Sequence, residues 1–284
     1  MDNRPVGIFD SGLGGLTAVT ALRELLPDEN IIYFGDTARM PYGTKSVLQL
    51  RCMAQQDMEL LEARNVKAIL AACGTVSSTA SDILAAFRLK VFNVVDAAVE
   101  AVAKTEGNAP IGVIATDASI KSGVFKRKIE ALCPDREVIA IPCQDFVKLI
   151  ESGHTGEDDI EVIKSVEGYL SPMKEKGVAA LLLGCTHFGY LSAPISAYLG
   201  ENVRLVSASH CAAMSVRDYL VGHGMTGGSG STQYITSGDK AQFAELASRL
   251  LGESVEDKTA EIDFMEVKER YEGRCDLTAQ HTGT

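Results

Sequence analysis

The chain has 284 residues, of which 46% are hydrophobic and 23% are charged. These proportions are close to those of an average globular protein, and the length predicts one large or two ordinary domains. The formal net charge of −11 disfavours nucleic acids and anionic membranes as partners. No apolar run reaches the length of a signal peptide or a membrane span, so we expect a cytoplasmic protein.

Apolar runs of strand length alternate with longer helical stretches. We predict strands at 6–10, 30–35, 66–73, 90–95, 110–116, 137–143, 178–185 and 203–208. Most of these runs are continuously hydrophobic, which is typical of parallel strands covered on both faces. The clearest helix spans 46–64, with Ser46 as its N-cap residue. The alternation predicts an α/β fold built from parallel sheets.

The C-terminal part of the chain has a different composition. The segment TGGSGST at 226–232 is typical of a flexible surface loop. Residues 253–284 are polar and charged, and we predict a C-terminal polar extension there, with a frayed end and no assigned function.

An internal repeat divides the chain. When 65–75 is placed over 177–187, Cys73 falls on Cys185, and each cysteine ends a buried strand. When 6–11 is placed over 111–116, Ser11 falls on Thr116. Two matches in the same order indicate duplicated half-domains, in which one strand ends at a hydroxyl residue and another at a cysteine.

The duplicated cysteines suit proton transfer at a carbon atom. Ligands of parallel α/β sheets bind beyond the carboxyl ends of the strands, where both cysteines lie. Each cysteine precedes a predicted helix, whose N–H groups and dipole favour the thiolate, so we expect lowered pKa values. Racemisation at an α-carbon needs a base on one face and an acid on the other, and a thiol can serve in both roles. The residues therefore predict an amino-acid racemase that uses no cofactor and no metal.

Three further residues are candidates to assist the cysteines. Asp10 ends the first strand and is placed to accept a proton or to orient Cys73. His187 follows Cys185 by two residues and is a candidate for the same task there, with Glu151 to hold its imidazole.

Several motifs resemble the glutamate racemase family, in the same order and spacing over roughly residues 5–252. They are GIFDSGLGGLT (7–17), YFGDTARMPYGTKS (33–46), ACGT (72–75), GVIATDASIKSG (112–123), LIESG (149–153) and GCTH (184–187). The resemblance implies interconversion of L- and D-glutamate for bacterial peptidoglycan. It implies Cys73 and Cys185 as the acid/base pair, assisted by Asp10, Glu151 and His187. The substrate contacts that it implies are Ser11, Tyr42, Gly43, Gly74, Thr75, Thr116 and Thr186.

The resemblance also implies two pseudo-symmetric α/β domains with the active site in the cleft between them. The first domain would comprise 1–95 plus 208–252, and the second 96–207. The partner would be a small-molecule substrate, glutamate, and a homodimer is an assembly that the sequence leaves open.

The chain departs from the family pattern at two places. The family usually has Asn between the first cysteine and the threonine, whereas this chain has Gly74. A glycine lacks the amide hydrogen bond and adds space, so we expect Gly74→Asn to tighten glutamate binding. The segment Ser207–Ser209 replaces an Asp-Ser pair that is common in the family.

Several alternatives remain beside this interpretation. The substrate could be aspartate, or the protein could be a weakened binding or regulatory homologue because of Gly74. A dinucleotide site is disfavoured because Thr17 replaces the third glycine of the fingerprint. A metal site from Cys185, His187, His210 and Cys211 lacks supporting spacing. A thiol–disulfide enzyme would need the two cysteines to meet in an empty, narrow cleft.

Overall fold

The computed structural model describes residues 1–263 of the chain. Its strands are β1 (Val6–Asp10), β2 (Ile31–Gly35), β3 (Ala68–Ala71), β4 (Val91–Asn93), β5 (Ile111–Ala115), β6 (Val138–Pro142), β7 (Ala180–Leu183), β8 (Arg204–Ser207), β9 (Thr232–Thr236) and β10 (Thr259–Glu261). Its α-helices are α1 (Leu16–Leu25), α2 (Val47–Glu62), α3 (Gly74–Thr79), α4 (Ser81–Ala86), α5 (Val94–Ala103), α6 (Asp117–Ser122), α7 (Val124–Leu132), α8 (Asp145–Glu151), α9 (Ile160–Glu175), α10 (Ser192–Leu199), α11 (Ala208–Gly222) and α12 (Lys240–Leu251). Short 3₁₀ helices span Thr37–Arg39, Tyr42–Thr44, Thr186–Leu191 and Glu256–Lys258.

The strands form two parallel sheets. Six strands make the first sheet in the order β10-β9-β2-β1-β3-β4, and four make the second in the order β6-β5-β7-β8. The α/β fold with two parallel sheets, expected from the sequence, is therefore confirmed. The exact domain boundaries at 95, 207 and 252 remain predictions.

The two sheets share one topology. The order β2-β1-β3-β4 in the first sheet has its counterpart in β6-β5-β7-β8 of the second. The register agrees as well, since Val6 pairs with Ala68 and the equivalent Ile111 pairs with Ala180. The repeat detected in the sequence is thus a repeat of strand order and of strand register.

All eight predicted strands are present, but most are shorter than predicted. The predicted run at 90–95 differs in type as well as in length, because β4 ends at Asn93 and α5 begins at Val94. The Asn93 side chain accepts a hydrogen bond from the Asp96 backbone N–H, and this cap starts the helix. The predicted helix at 46–64 is α2, with Ser46 and Gln49 forming a reciprocal capping box.

Two strands lie where the sequence predicts none. Strand β9 follows the glycine-rich loop and pairs with β2. Strand β10 pairs with β9 and forms the edge of the first sheet, so part of the predicted C-terminal extension belongs to this sheet. The remainder of that extension, 264–284, lies outside the described residues.

A continuous apolar core joins the two sheets. Helices α1, α5 and α11 supply Leu16, Val95, Val99, Ala212 and Val216 to a buried cluster that also contains residues of both sheets. Each large apolar side chain removed from water contributes roughly 1.5–3 kcal/mol. The shared core therefore holds the carboxyl ends of β1, β3, β5 and β7 around one cavity. Within residues 1–263, no helix is both long enough and apolar enough to span a bilayer.

Candidate active site

A cavity of about 430 Å³ lies between the two sheets. Every residue proposed above as catalytic or substrate-binding lines it: Asp10, Ser11, Tyr42, Gly43, Cys73, Gly74, Thr75, Thr116, Glu151, Cys185, Thr186 and His187. The structure therefore brings together residues that are up to 177 positions apart in the chain. A cavity of this volume suits a small molecule.

Both cysteines occupy equivalent positions. Cys73 lies two residues after β3 and directly before α3, and Cys185 lies two residues after β7 and directly before a 3₁₀ helix. Both have extended backbone conformations, and both are buried at 3% and 7% exposure. Each half of the repeat thus delivers one shielded thiol to the cavity.

The Cys73 thiol lies beside neutral and negative groups. Its Sγ is 3.8 Å from the Ser11 hydroxyl oxygen, and Asp10 lies nearby with Oδ2 accepting N–H bonds from Gly12 and Gly15 at 3.1 Å each. Burial and, second to it, the charge of Asp10 raise the pKa of Cys73 to about 12. The expectation of a lowered pKa is wrong for Cys73, because desolvation outweighs the helix N–H group that favours the thiolate.

The Cys185 thiol lies beside an imidazole. Its Sγ is 3.8 Å from His187 Nδ1, and His187 Nε2 is 3.1 Å from Glu151 Oε1. Burial alone would lower the pKa of His187, but its contacts with Cys185 and Glu151 raise that pKa to about 10. His187 is therefore protonated at neutral pH and places positive charge next to Cys185.

Backbone contacts fix the imidazole and its carboxylate partner. Glu151 is the last residue of α8, and the Arg249 guanidinium of α12 donates a hydrogen bond to its carbonyl oxygen at 2.7 Å. A Cβ atom at Gly14 would lie 2.3 Å from His187 Nδ1, so only glycine fits there. The loop between β1 and α1 thus packs directly against His187, which follows β7.

Hydroxyl groups line the cavity from both halves. Thr75 Oγ1 and Thr116 Oγ1 are 3.5 Å apart, and Thr116 donates to Ser119 Oγ at 3.0 Å. Behind the lining residue Thr186, Thr17 Oγ1 is 2.7 Å from Ser209 Oγ and donates to the Thr186 carbonyl oxygen at 3.1 Å. Ser209 of the divergent segment therefore contacts a group that supports the Cys185 turn.

The Tyr42 hydroxyl points away from the cavity. It donates to Asp36 and to Asp57, at 3.0 Å for Asp57, and the Arg39 guanidinium bonds both carboxylates. Burial and the charge of Asp36 raise the pKa of Asp57 despite Arg39, so this network holds a proton tightly. Tyr42 thus lines the cavity while its hydroxyl is bonded to Asp36 and Asp57, and its contact with substrate stays a prediction.

Sequence reasoning did not identify several other cavity residues. They are Gly12, Met40, Pro41, Thr44, Asp117, Ser119, Gln144, Val147, Lys148 and Gly184. The buried network of Asp36, Arg39 and Asp57 behind Tyr42 was missed too. The motif at 33–46 contains two of its members, but the third comes from α2, and no local pattern links them.

Gly74 leaves less free space beside it than the sequence analysis predicts. A Cβ atom there would lie 2.7 Å from the Gly184 carbonyl oxygen. The glycine does not open room for a side chain in this direction, because the backbone before Cys185 already fills it. The predicted gain from Gly74→Asn therefore conflicts with the geometry.

The alternative metal and disulfide sites gain no support in the part of the chain that the structure describes. His210 and Cys211 lie on α11, and residues 1–263 hold no group of three or more His, Cys, Asp or Glu side chains arranged for a metal ion. The cysteines at 52, 73, 133, 143, 185 and 211 are all free thiols.

The fold and the cavity define a two-sheet α/β protein with paired thiols and a His–Glu pair, groups that are suited to moving a proton. The profile of the Asp/Glu/Hydantoin racemase family matches residues 17–216. The chain belongs to this family.

Individual relatives cover nearly the whole chain. A glutamate racemase of Thermoanaerobacter pseudethanolicus is 36% identical over 258 residues, or 90% of this chain and 96% of the relative. A glutamate racemase of Corynebacterium diphtheriae is 39% identical over 259 residues, or 90% of this chain and 97% of the relative. The crystal structure of a Francisella tularensis glutamate racemase in complex with D-glutamate has a TM-score of 0.83 at 34% identity, and covers 93% of this chain and 98% of that one.

Proposed function

We propose that this protein is a glutamate racemase that moves the Cα proton of glutamate between Cys73 and Cys185. The observation that carries the proposal is the pair of thiols at equivalent positions of two related halves, on one small cavity. The relatives named as glutamate racemases, which are similar over most of the chain, support glutamate as the substrate. The D-glutamate complex of the Francisella protein supports it as well.

The reaction requires two proton transfers on opposite faces of one carbon. In one direction Cys185, as the thiolate beside protonated His187, takes the Cα proton, and the C–H electron pair stays on carbon as a planar carbanion. The Cys73 thiol then gives its proton to the opposite face, which leaves Cys73 as the thiolate and the product with inverted configuration. The reverse reaction exchanges the two roles. Before the next turnover in the same direction Cys73 must regain a proton and Cys185 must lose one. Asp10 is placed to return a proton to Cys73, and Glu151 holds His187 in its protonated form.

Hydroxyl groups and backbone amides would hold the substrate carboxylates. Ser11, Thr75, Thr116 and Thr186 contribute hydroxyls to the cavity wall. Gly43 and Gly74 contribute backbone there, and Tyr42 contributes atoms other than its hydroxyl. Charge-assisted hydrogen bonds of this kind are about twice as strong as neutral ones.

The proposal also states what the reaction requires and where its product would be used. The reaction needs no cofactor and no metal, because the two thiols perform both proton transfers. The product, D-glutamate, would serve peptidoglycan synthesis in the cytoplasm of a bacterium. A homodimer remains a prediction.

Optical activity measures this function directly. Purified protein in buffer with a chelator, and without pyridoxal phosphate, is incubated separately with L-glutamate, D-glutamate and L-aspartate, and circular dichroism is followed. We expect the signals of both glutamate enantiomers to decay to zero while that of aspartate persists. Decay for aspartate alone would replace glutamate by aspartate as the substrate. Persistence of all three signals would contradict racemase activity and favour a binding homologue.

A further inference from the structure

One wall of the cavity is the short segment 40–44, which we call the wall segment. All of its residues line the cavity: Met40, Pro41, Tyr42, Gly43 and Thr44. Asp57, in the middle of α2, is not a lining residue, and its side chain is fully buried. Its Oδ2 atom nevertheless lies 3.0 Å from the Tyr42 hydroxyl oxygen. Asp57 therefore supports the wall segment from behind.

The Tyr42 hydroxyl lies between two carboxyl groups. Oδ2 of Asp36 and Oδ2 of Asp57 are both within hydrogen-bond distance of it. The Arg39 guanidinium bonds the same two carboxyl groups, with Nη2 at 2.6 Å from Asp57 Oδ1. None of these four side chains is more than 9% exposed. We call them the Asp57 cluster.

The Tyr42 hydroxyl cannot satisfy two ionised carboxylates. A phenol has one hydrogen atom, so Tyr42 donates a full hydrogen bond to only one of its two neighbours. If Asp36 and Asp57 were both ionised, one of them would present a buried oxygen to Tyr42 without a hydrogen atom between them. Such an unsatisfied buried group is costly, so one of the two carboxyl groups must supply a proton of its own.

The charges of the Asp57 cluster lead to the same result. Two ionised carboxylates would place two negative charges against the single positive charge of Arg39, and an uncompensated charge is strongly disfavoured in a buried site. One protonated carboxyl group makes the cluster neutral. Burial raises the pKa of Asp57 more than Arg39 lowers it, and the charge of Asp36 raises that pKa as well.

The donors around each carboxyl group indicate which one carries the proton. Asp36 accepts hydrogen bonds from Arg39 Nε, from the Tyr42 hydroxyl and, at 2.7 Å, from Ser237 Oγ. Asp57 has Arg39 and the shared Tyr42 hydroxyl. Because hydrogen bonds to a carboxylate favour its charged form, Asp36 is the better carboxylate. Tyr42 then donates to Asp36, and the Asp57 carboxyl group donates to the Tyr42 hydroxyl oxygen.

We propose that Asp57 is a positioning residue that holds the wall segment as a neutral carboxylic acid, donating to Tyr42 and accepting from Arg39. The proposal rests on the proposed function, in which Tyr42 and Gly43 contribute to the binding of a substrate carboxylate. The same chain of bonds reaches β1, since the Asp36 N–H donates to the Asp10 carbonyl oxygen at 3.0 Å. Without a donor at position 57 the wall segment loosens and binds substrate less tightly, while the thiols keep their places.

Infrared spectroscopy measures the protonation of Asp57. The C=O stretch of a neutral carboxylic acid is separate from the bands of carboxylates and backbone amides. The spectrum of wild type minus that of Asp57→Asn, both at neutral pH without substrate, should contain this band. Glu59→Gln is the matched control, because Glu59 is another buried carboxyl group of α2 and bonds Gln55 instead of the Asp57 cluster. The Glu59→Gln variant should retain the band. A difference spectrum without the band would overturn the proposal.

Substitutions at position 57 test the positioning role through kcat and KM. Asp57→Asn keeps an N–H donor for Tyr42 and an oxygen atom for Arg39, so it should keep most of the affinity for both glutamate enantiomers. Asp57→Leu has neither group. We expect its KM to rise roughly tenfold, the factor that one lost hydrogen bond represents, with a smaller change in kcat. Melting temperatures report the loss of stability separately, and a merely structural role would not divide the effect between KM and kcat in this way.

The corresponding substitution at Asp36 tests which carboxyl group is charged. Asp36→Asn removes the negative charge that pairs with Arg39, so its KM should rise as in Asp57→Leu, whereas Asp57→Asn should not show this rise. The reverse pattern, with Asn tolerated at position 36 and not at position 57, would place the proton on Asp36 and overturn the proposal.

The outcomes separate this proposal from the function on which it rests. Unchanged kinetics in Asp57→Leu, or a fall in kcat with no change in KM, would overturn the positioning role while racemisation by wild type stands. If Asp57→Leu does not fold, the infrared band and the Asp57→Asn kinetics still decide. Absence of racemisation by wild type would instead remove the proposed function, and the infrared band would still report the protonation of Asp57.

Discussion

The two halves of the molecule present their thiols in the same place but in opposite electrostatic surroundings. Cys73 lies beside Ser11 and the buried carboxylate of Asp10, and burial raises its pKa to about 12. Cys185 lies 3.8 Å from His187, which contacts Glu151 and is a cation at neutral pH because its pKa is raised to about 10. Strand order and register are common to both halves, whereas the neighbours of the thiols are not.

This difference shows that the duplicated fold determines where the thiols lie, whereas individual neighbouring residues determine their electrostatic surroundings. Duplication places two thiols on one cavity. The neighbours then favour a protonated Cys73 and place a cation beside Cys185. In the proposed mechanism Cys73 is the acid in one direction and the base in the other, so the two directions start from different surroundings.

The largest effect is expected from removing either thiol. Cys73→Ser and Cys185→Ser should each lower racemisation by on the order of 1,000-fold, since acid–base groups contribute between about 100- and 10,000-fold. The circular dichroism assay with both glutamate enantiomers measures it. Cys52→Ser, a half-buried cysteine on α2 outside the cavity, is the matched control. Near-normal turnover in either active-site variant would remove the two-thiol scheme.

Glu151→Gln should make His187, the cation beside Cys185, easier to deprotonate. Glu151 helps to raise the pKa of His187, so the variant lowers that pKa, and His187 loses its proton at a lower pH. Because activity in this account needs protonated His187, the alkaline limb of kcat/KM should move from near pH 10 to lower pH. At a pH between the old and the new pKa, the rate falls by up to about tenfold for each pKa unit lost.

A second His–carboxylate pair provides the control for this pH profile. His154 Nδ1 is 2.7 Å from Asp159 Oδ2, and neither residue lines the cavity. Asp159→Asn should leave the alkaline limb in place. An unchanged limb in Glu151→Gln, or an equal shift in Asp159→Asn, would mean that the limb does not report on His187.

The smallest effect is expected from a substitution beside Cys73. Asp10→Asn removes a charge that raises the pKa of Cys73, while an amide oxygen can still accept the N–H bonds of Gly12 and Gly15. Cys73 should then be alkylated by iodoacetamide roughly tenfold faster at a fixed alkaline pH, which corresponds to one pKa unit. Peptide mapping of Cys143, another buried thiol with a raised pKa, gives the internal reference. Equal rates in variant and wild type would show that burial alone governs Cys73.

Much of the architecture could be predicted because it depends on local pattern and on the repeat. Continuous apolar runs identified the first eight strands, and superposing 65–75 on 177–187 identified the two cysteines as equivalent. Since the carboxyl ends of parallel strands meet at one edge, the candidate residues were expected to share a cavity. The resemblance to a family added Tyr42 and Gly43, which no strand end would have indicated.

The features that could not be predicted depend on contacts between segments that are far apart in the sequence. Strand β10 has three residues, and only pairing with β9 makes it a strand. The helix N-terminus favours the Cys73 thiolate, but burial by distant segments reverses the outcome. The contact between Gly74 and Gly184 joins residues 110 positions apart in the chain, so the sequence shows only a missing side chain there.

The origin of the new Cα hydrogen tests the central claim most directly. Wild-type protein is given L-glutamate in deuterated water, and both enantiomers are separated and analysed by mass spectrometry after a few per cent of turnover. If two thiols act from opposite faces, D-glutamate carries deuterium at Cα while the remaining L-glutamate does not. Protium retained in the product, or equal labelling of substrate and product, would mean that one group serves both faces.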